Sequence, residues 1–160
     1  PDAAGLAQCR AFADSLQEQY SVEIWLEREK IFSENHVFNY EYQPRAFMEG
    51  LKALEEALSC FPEGFFETLG SVSGSDKLHI ALVRSLTGRT TAAPQTADSA
   101  QYWFNGKSCI VLAIGDTTQQ GFYHALGLAL DTFNCNSLCY CFFNGIPYCV
   151  ASDRKFPFIN

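Results

Sequence analysis

Apolar residues recur along the chain in two rhythms, one near 3.6 residues and one near 2, and their succession predicts alternating helices and strands. Residues 3–20 place Leu6, Cys9, Phe12 or Ala13, Leu16 and Tyr20 at helical spacing, with Asp2 positioned to cap them. Ser21–Leu26 then alternates, with Val22, Ile24 and Leu26 on one side, as a short strand would. Glu27–Lys30 reads as a solvated strand end or turn, and Ser33–Tyr42, which carries His36, has no clear period. A second helix follows Pro44, with Phe47, Leu51, Leu54 and Leu58 as its apolar stripe. Gly50 costs that helix about 1 kcal/mol relative to alanine, too little to outweigh so regular a stripe. Glu55 and Glu56 fall on its outward face and read as solvated charges. Phe65, Phe66 and Leu69 make a further short helical turn beyond Phe61-Pro62-Glu63-Gly64.

Lys77–Val83 is a continuous run of strand formers, the pattern of a strand covered on both faces, with His79, Ala81 and Val83 sharing one of them. Residues 85–100 are small, polar and interrupted by Pro and Gly, and predict a mobile surface loop. Gln101–Ile114 reads as a hairpin turning at Asn105-Gly106, a pair favoured where both central residues need positive φ. Gly115–Thr118 closes its second strand and supplies a helix N-cap. Asn134–Cys149 predicts packed loops or a short hairpin.

Residues 118–133 form the helix around which the rest is organised. Phe122, Leu126, Leu130 and Phe133 fall on one side as a core stripe, while His124, Leu128 and Asp131 share another. The bland reading is a core helix with one satisfied histidine.

Hydrophobic residues make up 48% of the 160 and charged residues 18%, the composition of a folded globular chain. The net charge of −7 and a pI near 4.8 argue against a nucleic-acid partner, whose phosphates would be repelled. No apolar run is long enough to span a membrane. Seven cysteines, four of them (Cys135, Cys139, Cys141 and Cys149) near the C-terminus, read either as disulfides of a secreted or extracytoplasmic protein or as buried thiols of a cytoplasmic one. The first reading is slightly favoured. The spacing of those four matches no strong zinc template, and disulfides suit it better.

The predicted order of elements resembles bacterial zinc metallopeptidases of the zincin type. The resemblance rests on Leu54-Glu55-Glu56-Ala57-Leu58, on Phe61–Phe66, on the apolar strand that follows, and on Tyr123, His124, Leu126, Gly127, Leu130 and Asp131 in frame. It is best over residues 44–131 and weaker beyond 134, where Asn144–Tyr148 is only loosely similar to the following loop. In that family H-E-x-x-H sets two imidazoles one turn apart with a glutamate beside the metal-bound water. The resemblance places the first zinc ligand at His124, the general base at Ala125 and the second ligand at Leu128. Neither alanine nor leucine can do that work. The third, acidic ligand would come from a later helix, absent before Asn160, so a chain truncated at its C-terminus is one expectation. Asp131 cannot join His124 on one ion, being roughly 10 Å further along a straight helix.

Together these readings predict an α+β, zincin-like domain spanning residues 1–160, with a small mixed sheet, helices packed on it, and a degenerate active-site helix below a cleft. The expected function is that of a catalytically inactive peptidase relative, with no resident metal, binding a peptide or protein segment along an edge formed by Tyr102, Trp103 and Phe104. Tyr123, His124 and Asp131 would mark the vestigial site. Two alternatives remain: an active zinc metallopeptidase with further ligands, in which zinc is the cofactor, and an interaction domain using another surface. A nucleophile–base pair of Cys109 and His124 is a weaker candidate, because the thiol lies within an apolar run.

Overall fold

The computed structural model describes residues 2–26, 36–40, 43–72, 77–88, 96–104, 107–115, 118–132, 139–143 and 146–150. These residues form a mixed α+β structure with four helices and small sheets. In order these are α1 (Ala3–Tyr20), β1 (Val22–Trp25), β2 (His36–Asn39), α2 (Pro44–Ser59), α3 (Phe65–Val72), β3 (Leu78–Val83) and β4 (Ser85–Gly88). There follow β5 (Thr96–Ala97), β6 (Ser99–Phe104), β7 (Lys107–Ala113), α4 (Thr118–Thr132), β8 (Cys139–Phe143) and β9 (Ile146–Val150). The principal sheet has the order β1-β3-β7-β6, in which β1, β3 and β7 run parallel and β6 returns antiparallel at the edge.

One face of this sheet is covered by helices. Val22 and Ile24, Leu78, Ile80 and Leu82, and Ile110 and Leu112 point to it, because alternate residues of a strand share a face. Against them pack Leu16 of α1, the stripe Phe47, Leu51, Leu54 and Leu58 of α2, Phe65, Phe66 and Leu69 of α3, and Phe122, Leu126 and Leu130 of α4. Phe61 joins the helices to each other through ring contacts to Phe65, Phe66 and Phe122 at 4.9, 5.1 and 6.2 Å. The N-terminus of α1 is capped by Asp2, whose Oδ1 accepts from the Gly5 N–H at 2.9 Å. Gly50 has a packing reason to be glycine: a Cβ there would sit 3.0 Å from the Ile114 side chain. Its loss of helix propensity permits α2 to approach the end of β7.

The opposite face carries Trp25, Ala81, Val83, Cys109, Val111 and Ala100, packed with Leu86 of β4 and with Phe38 and Tyr40 around β2. A second, antiparallel sheet of order β2-β4-β5 supplies that cover. Residues 85–100 therefore are not wholly the loop predicted from their composition: β4 and β5 lie within them, and β6 begins at Ser99. The polar sequence is tolerated because these strands are short and lend chiefly Leu86, which is wholly buried, to the core. His36 likewise falls in a strand, with its backbone opposite Gly88. The C-terminal stretch holds the antiparallel pair β8–β9, the hairpin alternative of the two expected. Asn105-Gly106, Asp116, Thr117 and Phe133 lie outside the described residues.

Candidate functional site

The helix α4 begins three residues past Gly115, and Thr118 stitches the junction. Its hydroxyl accepts from the Gly115 N–H at 2.9 Å and donates to the Gly115 carbonyl at 2.8 Å. From there α4 packs on β6 and β7 and against α2. Gly121 makes the contact with β6 close, since a Cβ would lie 3.0 Å from the Asp98 carbonyl oxygen. That approach brings His124 to Asp98, with Nδ1 3.8 Å from Oδ1, and Asp98 Oδ1 also accepts from Ser99 Oγ at 3.0 Å. The imidazole is 63% exposed.

The positions flanking His124 separate onto two faces. Leu128, one turn on, is 45% exposed beside it, an apolar group facing water. Ala125 is wholly buried among Phe122, Leu126 and the sheet. A glutamate there would have to bury its carboxylate in hydrocarbon. Asp131 lies in the last turn of α4, and its side chain falls outside the described residues. A catalytic zinc takes three protein ligands at about 2.0–2.2 Å plus a water. His124 and Asp98 offer two donors, and among the described residues no three His, Cys, Asp or Glu side chains converge on one point.

On its other flank α4 meets α2. Tyr123 donates a hydrogen bond to Cys60 Sγ at 3.2 Å, and Gln119 Nε2 donates to Glu56 Oε2. Glu56, read from sequence as a solvated charge, is exposed yet holds this inter-helix bond. Partial burial, then the hydrogen bond to Cys60 and the charges of Cys60 and Glu56, push the Tyr123 phenol up to about 12. Beside these residues a cleft of about 620 Å³ opens, walled by Glu49, Gly50 and Ala53 of α2 and by Gln119, Gln120 and Tyr123 of α4, with Ile114 and Gly115 at its base. It lies at the C-terminal end of β7, where the ends of parallel strands commonly receive ligands.

Cys109 and His124 do not meet. Cys109 points to the strand-covered face, whereas α4 lies over Ile110 and Leu112 on the other, so the sheet stands between thiol and imidazole. Burial, with the Glu23 carboxylate adding to it, pushes the Cys109 thiol up to about 12, far from a nucleophile at neutral pH. Its neighbour in register is His79, and His79 is in register with Glu23, so the three stand in one row across β7, β3 and β1. His79 is 1% exposed, its Nε2 lies 3.0 Å from Glu23 Oε2, and its ring is 4.9 Å from that of Trp25. Trp25 Nε1 donates to the other Glu23 oxygen at 2.8 Å. Sequence reasoning placed His79 on the correct face and missed this row, for which the two-residue alternation of Glu23 with Trp25 is the nearest signal.

Tyr102, Trp103 and Phe104 lie on β6, opposite Cys109, Ser108 and Lys107 respectively, and their side chains fall outside the described residues. Within its sheet β6 pairs only with β7, so its second edge has no partner strand among the described residues. Cys9, Cys60 and Cys109 are free thiols, and the side chains of Cys135, Cys139, Cys141 and Cys149 lie outside the described residues. No helix among the described residues is long and apolar enough to cross a membrane. Comparison with protein-family profiles, with curated proteins and with solved structures finds no match to this chain.

Proposed function

We propose that this chain is a catalytically silent binding module of zincin-like layout that takes an extended peptide or protein segment along the outer edge of β6. The observation that carries the reading is the position of β6. It is the antiparallel border of an otherwise parallel sheet, with one edge that pairs with no strand among the described residues. An added strand would satisfy those groups and gain affinity from main-chain hydrogen bonds. Packed along the same strand, α4 offers His124 and the apolar Leu128 as exposed side-chain contacts. Catalytic silence is supported by the one imidazole on α4, the leucine one turn beyond it, and the alanine that faces the core.

The test is binding of a library of unstructured decapeptides, read by fluorescence anisotropy. Saturable binding is expected, weakened about tenfold or more by Trp103→Pro, which removes a backbone N–H and the aromatic side chain from β6. The Trp103→Asp variant keeps the backbone donor and separates the two effects. No saturable peptide binding would defeat the edge reading. One zinc per chain retained through dialysis, with peptide cleavage, would defeat the silent one.

A further inference from the structure

Among the described residues, a buried donor on β6 goes without an acceptor. Gln101 stands opposite Ile110, so its side chain falls on the helix-covered face of the sheet, where α4 packs. Its Nε2 is buried and has no hydrogen-bond partner among the described residues. The residue as a whole is only half-buried, so the amide stands at the border of the core and not in its middle. α4 descends in the direction of β6. It leaves the sheet beside Ala113, whose carbonyl accepts from Thr118 Oγ1 at 3.2 Å, and Gly121 then rests on Asp98. Leu128, two turns past Gly121, is roughly 10 Å further along the helix. The strand from Asp98 to Gln101 covers about the same 10 Å, which sets Leu128 level with Gln101. A buried amide without an acceptor costs stability, and nothing within the fold offsets that cost.

On a strand added to β6, the residue opposite Gln101 points to the same face, with its Cβ about 5 Å away. We infer that the segment taken by β6 carries an asparagine or glutamine at that position, read by the Gln101 carboxamide. This rests on the edge reading proposed above and gives that edge a sequence preference. A carboxamide has an oxygen for the orphaned Nε2 and an NH₂ for the Gln101 oxygen, so the two amides can exchange both bonds. The broad terminal torsion of glutamine lets Nε2 turn outward to meet it. An apolar residue at the same place offers no acceptor and leaves the donor orphaned. A carboxylate offers only acceptors and brings more negative charge to a chain of net charge −7. Leu128, half-exposed at the same level of α4, shields the amide pair from water, which strengthens both bonds.

The experiment uses fluorescein-labelled decapeptides of alternating threonine and valine with two adjacent central guest residues, one for each face of the strand. Their binding to the intact chain is read by anisotropy for guest pairs of glutamine, leucine and glutamate. The glutamine peptide should bind about fivefold tighter than the leucine peptide, the factor of roughly one net hydrogen bond, and the glutamate peptide weakest of the three. In Gln101→Leu the preference for glutamine over leucine should vanish or reverse. Gln101→Met, of glutamine's length and without its polar atoms, should do the same and serves if leucine disturbs β6. In the parent chain the side-chain amide protons of Gln101 should shift downfield with the glutamine peptide and not with the leucine one. Equal binding of the glutamine and leucine peptides by the parent, or an unchanged preference in both variants, overturns the inference and leaves the edge reading standing. Binding of no peptide by any of the three proteins brings down the edge reading, and this inference with it.

Discussion

The two faces of the four-stranded sheet, one residue apart along every strand, are built of different chemistry. Ile24, Ile80 and Ile110 form a row of branched hydrocarbon beneath the helices. One position earlier, Glu23, His79 and Cys109 form a row of a carboxylate, an imidazole and a thiol beneath the smaller sheet. Strand alternation alone sorts them. The lesson concerns reactivity: His79 and Cys109 are buried on the strand-covered face, while His124 and Tyr123 stand at the rim of the helical one. Cys109 and His124, the pair that would invite an enzymatic reading, are kept apart by the thickness of the sheet.

The comparison predicts that stability rests on the helical face. Phe122 is wholly buried and touches the rings of Phe61 and Phe66 as well as the sheet. Truncation to alanine should cost about 3–5 kcal/mol, from lost transfer energy and the cavity left behind. Val111→Ala, on the other face and equally buried, should cost about 1–2.5 kcal/mol, since it removes only two methyl groups. Urea denaturation of the two variants measures both. Equal costs would mean that the strand-covered face carries as much of the fold as the helical one.

The strand-covered face should instead reveal itself through pH. Cys109 has its folded pKa raised from about 9 to about 12 by burial, with Glu23 adding to the shift. The folded state therefore holds the proton more tightly than the unfolded chain does. The resulting stability is fully present below pH 9 and is lost as pH rises from about 9 through 12. The linked loss is of the order of a few kcal/mol. Cys109→Ala should flatten that part of the alkaline stability profile, at a price of about 1 kcal/mol at neutral pH for the small cavity. A profile as steep in the variant as in the parent would show that the thiol is not sealed as described.

Much of this division can be read from the chain itself. The stripes of α1, α2 and α4, the doubly covered strand β3 and the antiparallel β6–β7 pair follow from periodicity, since each repeats a spacing over enough residues to be distinctive. The second sheet does not, because β5 is two residues long and β4 is Ser-Leu-Thr-Gly, a composition shared with loops. At the site, i and i+4 spacing places His124 and Leu128 on one exposed face without further help. Asp98 could not be assigned to His124 the same way, since their meeting depends on the pairing of β6 with β7 and on the close approach at Gly121. The row of Glu23, His79 and Cys109 needs the register of parallel strands joined by long connections, which no local pattern encodes. The cleft between α2 and α4 was invisible for a similar reason: Gly50 looked like a cost to its helix, and Ile114 supplies the reason for it.

The smallest effect separates the two glycines of α4. Gly127 is exposed and a Cβ there would meet nothing within 4 Å, whereas at Gly121 it would press on the Asp98 carbonyl at 3.0 Å. Alanine stabilises a helix interior relative to glycine by about 1 kcal/mol when nothing obstructs the methyl group. Gly127→Ala should therefore raise stability by that amount. Gly121→Ala should forfeit the gain, because the helix must shift by a few tenths of an ångström away from β6, and the His124 contact with Asp98 should lengthen with it. Thermal denaturation gives the first quantity, and the amide shifts of Asp98 and Ser99 report the second. If both alanines stabilise equally, α4 does not lie close on β6, and the distinction between a tightly seated flank toward the strand edge and an open flank toward the cleft is lost.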